Sequence, residues 1–351
     1  MRVCMAGYQA VSILRGGPHT QIRGTAEHLP EFGVTPQLFD PWSGFRPGEW
    51  DLFHLFAANI GTYHLAREIH ALGVPLVVSP VIYSRHSTAF VRTALGVTRL
   101  LGRAGRGIWS DYGLAADICG WASRVVPNTE AEAHLLRQGL GVPGSKIRVI
   151  PNGVEERFAA ADPALFRKQY GLEGFILNVG HTGHERKNVL NLIRALAGIP
   201  HPAVIIGRII RSPYGERCRE EAARHRHILL LDGLPHESPM LASAYAACDV
   251  FVLPSEFETP GIAALEAALA GAKIVMTPHG GTREYFGEMA DYVEPSSVES
   301  IREGIRRALA RARTPRLRDH VLREYTWRSV ARKTAALYAE VAGGAPAGRG
   351  V

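Results

Sequence analysis

Glu258 and Glu266 are the residues whose types and spacing most invite chemistry. They lie eight positions apart with no other charge between them, in the stretch SEFETPGIAALEAALAGAKIV at 255–275. Thr259 followed by Pro260 reads as a helix start and Gly271 as a stop. The sequence thus predicts an apolar helix between buried strands at 249–254 and 273–277. A helix apolar on every side is buried against a sheet, and a carboxylate on it is costly unless paired. Residues 259 and 266 differ by seven positions, about 700° at ~100° each, so they share a face. The free amides of Gly261, Ile262 and Ala263 crown the helix, and such an end attracts phosphate through its N–H groups and dipole. A diphosphate there puts a ribose within reach of Glu266. Glu258, just outside the helix, meets whatever hangs from the other end of the diphosphate. A capping acid at 258 and a salt-bridged core glutamate at 266 are the plainer reading of the same pair.

The surrounding elements alternate. Strands are predicted at 2–6, 51–56, 75–79, 146–150, 175–179, 203–207 and 228–231. Helices are predicted at 62–72 and at 129–139, the second capped by Thr129 with Glu132 three positions later. Such alternation means α/β units with doubly wound parallel sheets. A chain of 351 residues is comfortable for two of them. The expected domains are 1–160 and 161–326, with a hinge near 155–165 and a cleft between, and a last helix at about 327–342 returning to the first.

Bulk properties exclude more than they assign. The net charge is +7, but 35 of the 40 basic residues are arginine, a skew expected of a GC-rich genome, so charge alone says little about partners. Cys4, Cys119, Cys218 and Cys248 form no CxxC pair, which suits a reduced, cytoplasmic protein. The first residues do not read as a signal peptide, and no apolar run reaches the ~18 residues of a membrane span. No GxGxxG opens either half, which argues against a nicotinamide-dependent oxidoreductase.

Val126-Pro-Asn-Thr-Glu-Ala-Glu132; Lys146-Ile-Arg-Val-Ile-Pro-Asn-Gly-Val154; Val179-Gly180 with Arg186-Lys187-Asn188; Glu258 and Glu266 after Pro254-Ser255; Gly280-Gly281-Thr282-Arg283-Glu284; and Tyr325-Thr-Trp327 follow one another along the chain. In that order they resemble the retaining glycosyltransferases of family 4, which have the GT-B fold. The resemblance implies two Rossmann-like domains, the second holding a nucleotide-sugar donor and the first an acceptor. It implies that Glu266 binds the ribose, Glu258 the donor sugar, and the amides near Gly261 and Ile262 the phosphate. Lys187 matches the residue that neutralises the diphosphate leaving group, where stabilising developing negative charge sets the rate. Gly16 and Gly17 match the tight first-domain loop that closes over the donor. Two departures stand out. Where the family has an arginine six residues before the lysine, this chain has His181, so either His181 acts partly protonated or Arg186 substitutes. The first-domain histidine expected near residue 79 is absent, and His86 is the nearest candidate. No DxD motif occurs, so no metal and no cofactor is expected. A GT-B phosphorylase, an epimerase, or a nucleotide-sugar-binding protein without turnover are the competing readings.

From 69 to 110 there is no Asp or Glu, while Arg85, Arg92, Arg99, Arg103 and Arg106 interleave with apolar residues. Such a surface suits an anionic membrane at its cytoplasmic face or a phosphate-bearing acceptor, carbohydrate or lipid-linked. It also reads as a solvated face of an arginine-rich protein. No motif or stacking aromatics accompany the arginines, which sets nucleic acid aside.

Overall fold

The computed structural model describes residues 1–14, 16–104 and 109–343. The chain divides into two compact units, Met1–Gly153 with the chain from Trp327 onward, and Val154–Thr326.

The first unit is built on a parallel sheet of β1 (Arg2–Ala6), β2 (Thr35–Leu38), β3 (Leu52–Phe56), β4 (Leu76–Ser79) and β5 (Arg124–Val125), in the order β2-β1-β3-β4-β5. All of β3 and β4 is buried, as runs such as LFHLF and LVVS require of strands covered on both faces. Tyr338, on the helix Trp327–Gly343, is bonded to His54 Nδ1 at 2.5 Å, and Ser79 Oγ lies 3.0 Å from His54 Nε2. Burial pushes the His54 pKa down to about 3, so the imidazole is neutral. Gly24 lies beneath Trp327: a Cβ there would meet the indole at 2.3 Å, so only glycine admits the helix this close.

The segment 146–150 is not the strand expected. Arg148 N donates to Val125 O and Ile150 N to Pro127 O, but Pro127 has no N–H to return, so the ladder shrinks to one bridge, Val125 to Ile147. β2 was not anticipated: TPQL carries a proline and is largely exposed, as an edge strand can be.

The second unit carries β6 (Ile176–Val179), β7 (Ala203–Ile206), β8 (Ile228–Leu231), β9 (Val250–Leu253), β10 (Lys273–Met276) and β11 (Asp291–Tyr292). Its parallel order is β11-β10-β9-β6-β7-β8. It begins at residue 154, ahead of the boundary at 160/161 expected from the sequence. Val154 and Phe158 belong to the second core, where Phe158 meets Tyr245 edge-on at 5.5 Å. No helix among the described residues is long and apolar enough to cross a membrane.

Candidate active site

Strand order in the second unit reverses at β6: β7 and β8 follow on one side, β9 to β11 on the other. In open parallel sheets the crevice beyond the carboxyl ends of two such strands is where ligands bind. The segments leaving β6 and β9 carry Lys187 and Glu258.

Past β6 the chain makes a turn at Glu185–Lys187, and Asn188 adopts a left-handed conformation (φ 57°) before the helix Val189–Ala197. Asn188 is buried, and its Nδ2 donates to Pro254 O at 2.9 Å and Pro295 O at 2.7 Å. One asparagine thus ties the β6 loop to the ends of β9 and β11. This fixes Lys187, whose Nζ donates to Glu258 Oε1 at 2.5 Å. Arg186 Nη1 stands 3.6 Å from the same oxygen and donates to Phe257 O at 2.8 Å. Its guanidinium lies 4.9 Å from the Phe257 ring centroid. Glu258 is 7% exposed. Burial raises its pKa, but the Lys187 ammonium and the Arg186 guanidinium outweigh that and hold it below the ordinary carboxylate value. Two cations converge on one carboxylate, so the cluster is positive and suited to an anion.

The backbone of Glu258 is clamped as well. Its N–H donates to His279 O, and Gly281 N donates to its carbonyl at 3.0 Å. Gly280 sits at φ 95°, and a Cβ there would fall 2.0 Å from the Glu258 oxygen. Gly280→Ala is therefore expected to push the Glu258 loop away from Lys187. It should cost about 1–3 kcal/mol, read as a lower urea midpoint. A wild-type midpoint would mean the loop relaxes freely.

The helix bearing Glu266 runs Ile262–Leu269 and starts later than Thr259-Pro260 suggested. Gly261, at φ 73°, is its N-cap, and no side chain caps the end. The left-handed glycine swings the chain from the β9 loop into the helix, so Thr259 stays outside. The amides of Ile262 and Ala263 therefore stand at the helix start.

Glu266 is 4% exposed, and both its oxygens have partners within the second unit. The Tyr245 hydroxyl donates to Oε2 at 2.7 Å, and His236 Nε2 lies 2.6 Å from Oε1. The hydrogen bond to Glu266 raises the His236 pKa against the opposing effect of burial, and burial next to Glu266 drives that of Tyr245 well above its usual value. The carboxylate keeps unused lone pairs for a further donor. Neither partner was anticipated. The only signal was indirect: a lone carboxylate on a buried helix demands donors.

Burial first, then His184, Lys187 and Arg208, lower the pKa of His181 below its ordinary value, which favours the neutral imidazole. Its Nδ1 is buried with no hydrogen-bond partner among the described residues. Of the two sequence alternatives, Arg186 is the one that stands beside Lys187 at Glu258.

The remaining candidates lie in the first unit. Gly16 is the N-cap of the helix Gly17–His28, with an ordinary negative φ, and a Cβ at Gly16 or Gly17 would meet nothing within 4 Å. The protein's own packing thus does not require glycine at either position. The His86 ring lies 4.4 Å from that of Phe90, tilted by 32°, and His86, Arg85 and Arg92 are exposed. Arg106 lies outside the described residues, as does the side chain of Arg103.

The family model described as Glycosyl transferases group 1 matches residues 166–324, and that described as Glycosyltransferase Family 4 matches residues 49–158. An uncharacterized glycosyltransferase of Methanocaldococcus jannaschii is 28% identical, over 74% of this chain and 69% of its own length. A D-inositol 3-phosphate glycosyltransferase of Acidothermus cellulolyticus is 30% identical over 67% of this chain, which spans only 54% of that protein. Sucrose-phosphate synthase from Thermosynechococcus elongatus superposes with a TM-score of 0.72 at 20% identity, covering 97% of this chain and 99% of that one. Anabaena HepE, solved with UDP and glucose, gives 0.70 at 16% identity, over 96% and 99%. These structures share the GT-B fold of two parallel-sheet α/β domains.

Proposed function

Because the chain belongs to the group 1, family 4 glycosyltransferases, we propose that it moves a hexosyl group from a nucleotide-diphosphate sugar to an acceptor hydroxyl, with retention of configuration and without a metal ion. The observation that carries this reading is the Lys187–Glu258 pair, set at the switch point of the second sheet with Arg186 beside it. Lys187 and Arg186 meet the diphosphate together with the Ile262 and Ala263 amides. Glu258, released from Lys187, turns to the hydroxyls of the donor sugar. Glu266 takes the ribose, held in place by Tyr245 and His236. The bond from the anomeric carbon to the phosphate oxygen breaks, and its electron pair leaves with the diphosphate. The acceptor oxygen attacks the same face and passes its proton to that leaving oxygen. Lys187 lowers the barrier by stabilising charge that grows on the leaving group. HepE, solved with UDP-glucose, and a starch synthase, solved with ADP, support a nucleotide-sugar donor. The acceptor is a carbohydrate or lipid-linked sugar used in cell-surface polysaccharide or glycolipid synthesis.

A thermal-shift panel of UDP, GDP, ADP, CMP and dTDP, each with its common sugars, tests the donor. A ligand that binds only the folded state at 100 times its Kd adds about 2.7 kcal/mol of stability, so one base should raise Tm clearly. No shift from any member overturns the reading.

A further inference from the structure

The helix Thr88–Ala104 in the first unit presents three distinct sectors. Val91 and Leu95 are buried and anchor it to the core. Phe90, Val97 and Leu101, spaced by seven and four, share another face at ~100° per residue. They remain 52%, 52% and 47% exposed, and Leu100 at that face's edge is 66% exposed. Arg92 and Arg99, seven apart, form a stripe between the buried sector and Leu100, about 180–200° round the helix from Phe90. The polar residues do little to wet the outer face: Thr93 and Thr98 give their hydroxyls back to Ala89 O and Ala94 O. An apolar sector of this size, not needed by the helix's own core, calls for a partner.

Charge identifies that partner. No acidic residue occurs from 69 to 110. Asp117 on the next helix is 3.9 Å from Arg99, and Arg92 has no ion pair among the described residues. A second copy of the chain docking face to face here would set arginines against arginines. We propose that this face docks the protein on an anionic lipid surface, with Phe90, Val97, Leu100 and Leu101 entering the headgroup boundary and Arg92 and Arg99 meeting lipid phosphates.

The test is co-sedimentation of the full chain with vesicles of phosphatidylcholine alone or mixed with phosphatidylglycerol. Arg92→Ala/Arg99→Ala and Leu100→Ser/Leu101→Ser are compared with wild type. Wild type should sediment with the mixed vesicles at low salt, release at high salt, and ignore pure phosphatidylcholine. The arginine pair variant should bind about tenfold more weakly or worse, and the leucine pair variant should lose most of its binding. Both should keep the wild-type Tm, because they alter exposed positions. Failure of wild type to bind the mixed vesicles overturns the proposal, as does full binding by both variants. So does a dimer that the leucine substitutions dissociate without any lipid binding, which would give the face to a second copy. The readout needs neither donor nor turnover, so it stands or falls separately from the reaction proposed above.

Discussion

Lys187→Ala is expected to lower kcat by about 10²–10³-fold, the loss seen when one donor to a developing oxyanion is removed. It should also destabilise the fold. Glu258 is 7% exposed, and removing one partner of a buried ion pair costs about 3–5 kcal/mol. Arg186, 3.6 Å away, places the cost at the lower end. The pH dependence follows from the sign of the shift. Glu258 has a folded pKa below its value of 4.5, so its stabilising contribution is present above that value and is lost as pH falls through the folded pKa. In the variant burial prevails and the pKa moves upward, so its Tm deficit should be largest at neutral pH and shrink on acidification. Melting curves from pH 4 to 8 and initial rates together decide the matter. Lys187→Met with Glu258→Gln should regain stability but not turnover. A normal rate in Lys187→Ala would make the lysine a purely structural counter-ion.

Glu266→Gln should weaken donor binding by about a hundredfold, the loss of two hydrogen bonds from ribose to a charged acceptor at ~1.5 kcal/mol each. The fold should survive, because the amide oxygen still accepts from Tyr245 at the position of Oε2. What disappears is the charge facing His236. The folded pKa of His236 is raised above 6.5, so its pairing stabilises fully below that value and fades as pH rises through the folded pKa. The wild-type advantage in Tm over Glu266→Gln should therefore narrow on going from pH 6 to pH 9. Tyr245 stays protonated throughout. Calorimetric titration with the donor found by the panel tests the affinity. Wild-type affinity would remove Glu266 from the ribose site and leave it as a partner for Tyr245 and His236.

The sequence made the sheets legible because their strands are short apolar runs between glycine and proline breaks. The resemblance to a family placed Lys187 and Glu258 in one site. It could not show that they touch across 71 positions, since that depends on the strand order that sets β6 beside β9. The start of the Glu266 helix was misread for a local reason. Thr259-Pro260 carries a strong cap signature, whereas the turn is made by Gly261, whose positive φ leaves no pattern. His236 sits in a loop without periodicity, so nothing marked it as the partner of a glutamate 30 positions on. The lowered pKa of His181 depends first on burial, which no local window shows, and in part on Arg208 from beyond the next strand.

The chain passes from the first unit into the second after Gly153 and returns before Trp327. On the near side of both crossings, a Cβ on Gly153 would lie 2.7 Å from the Trp327 ring. On the far side, Val154 bridges Thr326 and its N–H donates to Tyr325 O at 2.7 Å. The second unit is therefore a cassette spliced into a host, with entry and exit side by side at a seam two residues wide. A short linker from Gly153 to Trp327 closes the host without it, and the cassette's own ends are already stapled.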